Sequence, residues 1–430
     1  LPTITRARIM EAMHHAPHRL RLGFWSVAFA FLTVMAFSTL PSPLYGLYQQ
    51  RDGFSSFTIT IIYAAYAIGV IAALLLAGHV SDWHGRRRVL LPAIATSIVS
   101  AAIFLLWRDL PGLLLARIVN GLSVGVVTAT ATAWLAELHA AGGRAGTGSS
   151  PQRAQLLATA VNIGGLGLGP LVSGFLAQWA GGDPLSLPYL VFLAALVLAL
   201  AVVALAPETR DRLDPLPAYR VQRVSVPQEA RGAFMAAAAG GFIAFGALGL
   251  FTGLSATFLV GTLHETSHAL AGTTVFVLFA GGVVLQVGLA TATPRRILAV
   301  GGAAMIAGLA LTAVAVWLPS PSLALFLAGG ALTGAGAGTV FKGTVGTVIA
   351  ITPPETRAES LAGLFLAGYV GLSLPVVGAG VALQLVSPRD TLLGFAIVEI
   401  VAIVAAAPRL LRGAGGSPAA RAPERRMSPA

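Results

Sequence analysis

The chain contains no cysteine, which excludes disulfides, thiolate nucleophiles and cysteine-ligated metals, and leaves the redox compartment unmarked. Lysine occurs once, at Lys342, among 27 basic residues. Charge of either sign is scarce: Asp, Glu, Lys and Arg make up 10% of the 430 residues, and 56% are hydrophobic. A soluble domain carries roughly a quarter charged residues. With a mean hydropathy of +0.82, the chain has too little polar surface to face water all round. It reads as an integral membrane protein. The apolar stretches also lack a His beside a carboxylate, a nucleophile beside a base, and metal-ligand spacing, so intramembrane bond chemistry is not expected. His264 and His268 fit one helical face but have no third ligand. No metal and no cofactor are expected.

What is present is a recurring pattern of long apolar runs. A helix crosses a hydrocarbon core of about 30 Å with about 20 residues, and such runs occur near 24–47, 57–78, 88–107, 112–135, 154–178, 187–206, 233–260, 269–290, 297–318, 322–350, 359–386 and 391–408. The fold class is therefore all-α, with twelve transmembrane helices. The 50 glycines and 25 prolines fit close helix packing and kinks in lipid rather than loops in water.

The excess of basic residues, +11 in formal charge, reports topology rather than nucleic acid. With both termini cytoplasmic, only Arg51, Arg108 and Arg389 fall outside, and Arg117 and Lys342 lie within spans. That asymmetry is the positive-inside rule. The first span lacks a cleavable small-residue site, so it is not read as a signal peptide. Heavy use of Arg and Ala suggests a G+C-rich bacterial genome and hence an inner (plasma) membrane.

The longest polar interval, 207–232, contains Pro207, Pro215, Pro217 and Pro227 and divides six spans from six. The expected organisation is a cytoplasmic tail 1–22, a six-helix bundle 23–206, a cytoplasmic central loop 207–232, a second bundle 233–408 and a cytoplasmic tail 409–430. The halves echo each other. RRVLLPAIA at 87–95 matches RRILAVGGA at 295–303, and GLGLGPLVSG at 165–174 matches VGLSLPVVGAG at 370–380. An even number of spans per half and a near-constant offset imply parallel duplication about an axis along the membrane normal, with substrate bound between the halves.

Between the second and third spans lies Gly78-His79-Val80-Ser81-Asp82-Trp83-His84-Gly85-Arg86-Arg87-Arg88. Gly78 leaves room for another helix and Gly85 permits a tight turn. Asp82 can be favoured by the N-terminal dipole of span eleven, near Glu359. Arg86 and Arg87 can pair with Asp82 or with Glu137 at the end of span four, giving a charge cluster between the halves that latches one conformation. The spacing G-x-x-x-D-x-x-G-R-R resembles the signature loop of the major facilitator superfamily of secondary transporters. The counterpart ATATPRRILAV keeps Arg295 and Arg296 but has neither the acid nor the glycines.

Three further motifs carry the resemblance. In span four, Arg117, Asn120, Gly121 and Gly125 form R-x-x-N-G-x-x-x-G. An arginine at that depth costs about 2.5–3.5 kcal/mol on insertion scales and usually faces a cavity or a partner, and in the family this arginine is associated with proton coupling. In span five, Gly165, Gly169, Pro170 and Gly174 form a bare face that resembles the antiporter motif of drug:proton exporters. After span six, APETR, with Glu208 and Arg210, resembles a family ending whose acid and base join the cytoplasmic cluster. PPETR at 353–357, with Glu355 and Arg357, is its match.

Other polar residues stand alone in apolar spans. Lys342 either faces the cavity, where it could hold an anion, or snorkels to the cytoplasm. Glu399 is the acid deep in a span and a candidate proton carrier, although span twelve is expected to be peripheral. Tyr45, Tyr48, Tyr63, Tyr66, Asn162, Gln286 and Tyr369 are candidate cavity residues. The resemblance implies the major facilitator fold, two pseudo-symmetric six-helix bundles rocking about a central site, in a monomer whose partners are a small-molecule substrate and the lipid bilayer, with no nucleic acid and no enzymatic activity. Proton-coupled efflux of drug-like or small organic molecules, an antiporter function, is the leading expectation. Uptake or exchange of a small organic anion is the alternative, and a non-transporting receptor or scaffold is the alternative of another class. Span one contains no acid, which leaves the proton carrier open.

Overall fold

The computed structural model describes residues 2–78, 80–142 and 151–413. Within them lie twelve helices long and apolar enough to cross a membrane. They are α1 (Pro2–Thr39), α2 (Ser56–Ala77), α3 (Arg86–Leu106), α4 (Leu110–Gly142), α5 (Pro151–Trp179), α6 (Leu187–Ala204), α7 (Arg231–Leu263), α8 (His268–Gly288), α9 (Pro294–Trp317), α10 (Leu323–Ile351), α11 (Arg357–Ala382) and α12 (Pro388–Gly413). Short helices Tyr45–Asp52 and Val80–His84 follow α1 and α2.

Local chemistry sets several boundaries. Ser55, Ser267 and Ser322 accept the amides of Thr58, Leu270 and Leu325, capping α2, α8 and α10. Residue His264, with φ 57°, turns the chain out of α7. Two boundaries differ from the sequence expectation. Residues expected as an N-terminal tail continue α1, because Arg, Met, Glu and Leu favour helix. The first span ends at Thr39 because Pro41 removes a helical donor, and Ser42–Leu44 follow as a 3-10 turn. Of the expected C-terminal tail, 414–430 lies outside the described residues.

The packing is that of two equivalent halves. Helix α1 packs on α4, α5 and α6, and α7 packs on α10, α11 and α12. In the same way α2–α4, α3–α4 and α3–α6 recur as α8–α10, α9–α10 and α9–α12. Glycine permits the closest approaches. A side chain at Gly121 would strike the Tyr66 carbonyl, and one at Gly69 the Ile118 carbonyl, so α2 and α4 cross backbone to backbone. The halves themselves meet through α5–α8, α2–α11 and α2–α7.

Candidate functional site

Those inter-half contacts are tightest toward the face opposite the Asp82 turn. There the positions of Gly174 and Gly272 admit no side chain, because the carbonyls of His268 and Pro170 occupy the space. Gly380 is closed in the same way by Thr60. The Tyr63 and Thr252 hydroxyls hydrogen-bond across the halves at 2.6 Å, and the His268 amide donates to Gln178 Oε1 at 2.9 Å. The span-five glycines, the motif together with Gly167 beside it, therefore have two faces. Gly165 and Gly169 press on Met35 and Ala36 of α1 within the half, whereas Gly167 and Gly174 meet Phe276 and His268 of α8 in the other half.

At the Asp82 end the charged residues form one network. Arg86 is only 4% exposed. Its guanidinium donates to Asp82 Oδ1 at 2.8 Å, Glu137 Oε1 at 2.8 Å and Ser81 Oγ at 2.7 Å. Arg210 reaches Asp82 at 3.3 Å, and Thr209 donates to Glu137 at 2.6 Å. Glu208 accepts the backbone amides of both Arg86 and Arg87 at 2.9 Å, capping α3. Gly85 sits at φ 94°, and a side chain there would press on Glu208 Oε2 and the Arg210 carbonyl at 2.9 Å. This positive φ suits glycine.

Three expectations are corrected here. Arg87 pairs with neither Asp82 nor Glu137; its guanidinium reaches the carbonyls of Ala204 and Ala206 at 3.4 Å, where the end of α6 leaves acceptors unused. The cluster does not bridge the halves through Glu359, since its members come from the first half and the central segment. The space at Gly78 is filled by Gln222 of that segment, at 2.6 Å, rather than by a helix.

The central segment itself links the halves at this face. The Gln222 amide donates to Leu75 O at 2.8 Å and the Tyr219 hydroxyl to Leu76 O at 2.9 Å, taking up terminal carbonyls of α2. On the other side Gln222 Nε2 donates to Ala358 O at 3.2 Å, and Ser360 donates to Ser225 O at 2.6 Å, at the start of α11. Val224 fills a notch at Gly363. Sequence reading placed a loop here without these attachments, because backbone acceptors leave no mark in side-chain pattern.

Within the membrane, Arg117 is 2% exposed. Its Nη1 donates to Ser38 O at 2.8 Å, and its guanidinium lies 4.6 Å from the Tyr66 ring centre and 5.8 Å from that of Tyr63. With Nη2 also donating to Tyr63 O at 3.4 Å, this is a cation held by two carbonyls and two aromatic faces. Asn120, one turn on, is buried with both amide atoms unpartnered, and Asn162 Oδ1 is likewise unpartnered. Tyr45 is buried at the start of the short helix after α1, and Tyr48 bonds to Tyr189 at 3.1 Å. Lys342 donates to Gln286 O at 3.0 Å, while Gln286 Nε2 donates to Gly338 O. Glu399 is 4% exposed, with Oε2 unpartnered, and its other oxygen fills the space at Gly246 of α7, beside Pro375 of α11.

Two halves of matching helix packing, closed against each other on one face and enclosing buried ionisable groups, define a helical membrane transporter. The sequence profile described as Major Facilitator Superfamily matches residues 27–307, and the chain belongs to that family. It is a multi-pass membrane protein and a secondary transporter, not an enzyme. A curated relative, the arabinose-proton symporter of Bacillus subtilis (strain 168), is 27% identical over 92 residues, which is 21% of this chain and 20% of that protein's length. The human organic anion transporter MFSD10 superposes with a TM-score of 0.65 at 17% identity, covering 91% of this chain and 99% of that one. A variant of the nucleoside transporter NupG gives 0.67 at 14% identity, covering 90% and 99%. A bacterial homologue of the human lysosomal transporter Spinster gives 0.65 at 14%, covering 92% and 97%. At these identities the structures establish the fold alone.

Proposed function

We propose that the protein is a proton-coupled exporter of small organic molecules, an antiporter of the bacterial inner membrane with both termini cytoplasmic, and that Glu399 carries the proton. The observation behind this reading is the placement of Glu399. Its carboxyl is buried and partly unpartnered between α7, α11 and α12, and α7 and α11 are the second-half helices that α2 touches across the halves. A change of charge in that apolar notch alters how α7 and α11 pack, and so biases the closed face; differential interaction with two states is what coupling requires. Glu137 and Asp82, the other acids near the first half's motifs, are already bound to Arg86. Arg117 ties α4 to α1, Gly121 lets α4 cross α2 closely, and the guanidinium is sequestered from solute in this state.

Proteoliposomes with an imposed pH gradient test the reading. Wild-type protein drives substrate against its gradient. Glu399→Gln retains substrate counterflow and loses the response to the pH gradient. An unchanged response in Glu399→Gln removes Glu399 as the carrier, and no response of the wild type across cationic, neutral and anionic compounds removes proton coupling altogether.

A second reading, uptake or exchange of a small organic anion, draws support from Lys342. It is half-buried within a span, bonded to a backbone carbonyl and in no ion pair among the described residues.

A further inference from the structure

We propose that the inner wall of the second half, formed by α7, α8, α10 and α11, is a binding site for a flat aromatic acid, with Lys342 as the partner of its carboxylate. This inference rests on the transporter reading and names its substrate class.

The site begins where the halves meet. Tyr369 of α11 stands edge-on to Tyr66 of α2, with ring centres 6.3 Å apart. From Tyr369 a run of rings leads into the second half: Phe245 at 5.5 Å, Phe341 at 4.7 Å from Phe245, and Phe365 at 5.4 Å from Phe341, every pair steeply inclined. The rings come from three helices, so the run is a tertiary feature. All four second-half rings are half-buried. They rest on bare backbone: the Phe245 ring lies 3.4 Å from the Cβ position of Gly368, and Phe341 lies 3.9 Å from that of Gly241. Glycine behind Phe245 and Phe341 seats those two rings close to the backbone, and all four rings keep part of their surface exposed. Inclined aromatic pairs are favourable by about 0.5–1.5 kcal/mol beyond area burial, and a flat guest extends the same arrangement.

Charge selects the guest. Lys342 follows Phe341 on α10 but turns toward α8, the opposite flank of the wall, where its ammonium donates one hydrogen bond to Gln286 O, leaving two of its three donors for a ligand. The other cation within a span, Arg117, is buried against Ser38, Tyr63 and Tyr66. The acid within a span, Glu399, is turned into the notch at Gly246, on the side of α7 that packs against α12. Among the described residues the wall therefore offers a positive field and no carboxylate. It fits an aromatic acid and has no counter-ion for an aromatic ammonium.

Equilibrium binding to the purified full chain in nanodiscs tests this with three matched probes: naphthoate, naphthylmethylammonium and cyclohexanecarboxylate. Naphthoate is expected to bind at least about tenfold more tightly than either other probe, as expected for one charge-assisted hydrogen bond or one aromatic contact. Lys342→Gln is expected to abolish the preference for naphthoate over the ammonium, Lys342→Arg to keep it, and Phe341→Leu to abolish the preference over the saturated acid. Equal or tighter binding of the ammonium, unchanged naphthoate binding in Lys342→Gln, or no naphthoate binding overturns the proposal. Unfolding of Lys342→Gln is detected by its thermal transition, and Lys342→Arg then decides: loss of the preference there overturns the site. Flux separates the two readings. Naphthoate bound through Lys342 but not transported keeps the site and removes transport of it, whereas gradient-driven flux of other solutes without naphthoate binding keeps the transporter and removes the site.

Discussion

The turn between α2 and α3 and its counterpart between α8 and α9 occupy the same register in the two halves, yet only the first is wired. In the second half Thr293 caps α9 locally, accepting the Arg296 amide at 3.4 Å, and Arg295 and Arg296 are exposed. In the first half the equivalent position is Gly85, which has no capping side chain, and the cap comes from Glu208, more than a hundred residues away in sequence. A remote cap makes the start of α3 depend on the central segment, whereas a local one leaves α9 independent. Arg86, which has Pro294 as its counterpart, then adds the ion pairs to Asp82 and Glu137. The far ends of the same helices repeat the contrast. Arg108 clasps Asp183 at 2.7 Å where α3 approaches α6, and Arg389 lies over Trp317, at 5.6 Å, where α9 approaches α12.

The largest break in this comparison is expected from Arg86→Ala, which strands Glu137 and Asp82 without their buried cation. Because both carboxylates retain some solvent, the expected loss is about 2–3 kcal/mol, below the range for a fully buried pair. Arg296→Ala is expected to stay within about 0.5 kcal/mol. Thermal unfolding in detergent measures both. Removal of the remote cap by Glu208→Ala is expected to cost about 1–2 kcal/mol, with faster proteolysis of the central segment. Thr293→Ala is expected to cost up to about 1 kcal/mol with no change in proteolysis; equal proteolysis would deny that the remote cap secures the segment. Gly85→Ala forces a side chain into a positive φ against Glu208 and is expected to cost about 1–2 kcal/mol. Gly288→Ala, whose side chain meets open space, is expected to be neutral within about 0.5 kcal/mol.

The smallest effect is the pH dependence of the Arg108 clasp. Burial alone would raise the pKa of Asp183, but the Ser186 hydroxyl, the Leu185 amide and Arg108 outweigh it and hold the carboxyl below its ordinary value. The folded state therefore binds this proton less readily than the unfolded one. The contribution is present above the ordinary aspartate pKa and is lost as pH falls through the lower folded value. Asp183→Asn is expected to flatten the acid limb of the stability profile, while Arg389→Ala lowers stability equally across that range.

Much of the architecture was legible without coordinates. The number of spans follows from run lengths, and the matched packing of α1–α6 and α7–α12 was already audible in RRVLLPAIA and RRILAVGGA. Arg86, Asp82, Glu137, Glu208 and Arg210 were legible as a cluster, because ionisable groups at the ends of apolar helices have few places to go. Their pairing was not. Nothing in the sequence distinguishes Arg86, which enters the cluster, from Arg87, which serves the end of α6; their directions differ because adjacent helical residues point about 100° apart. Phe245, Phe341 and Phe365 were missed because a phenylalanine in an apolar span carries no signal by itself. Gln222 and Tyr219 were missed because their partners are main-chain atoms.

By itself the sequence determined the solvent, the helices and their duplication, since scarcity of charge and the length of an apolar run are properties of the chain as written. Only the tertiary structure decided that Glu208 caps α3, that the central segment joins α2 to α11, and where Lys342 and Glu399 face. Those outcomes depend on which backbones approach closely enough to share a hydrogen bond or exclude a side chain, and residues far apart in the chain set that distance together.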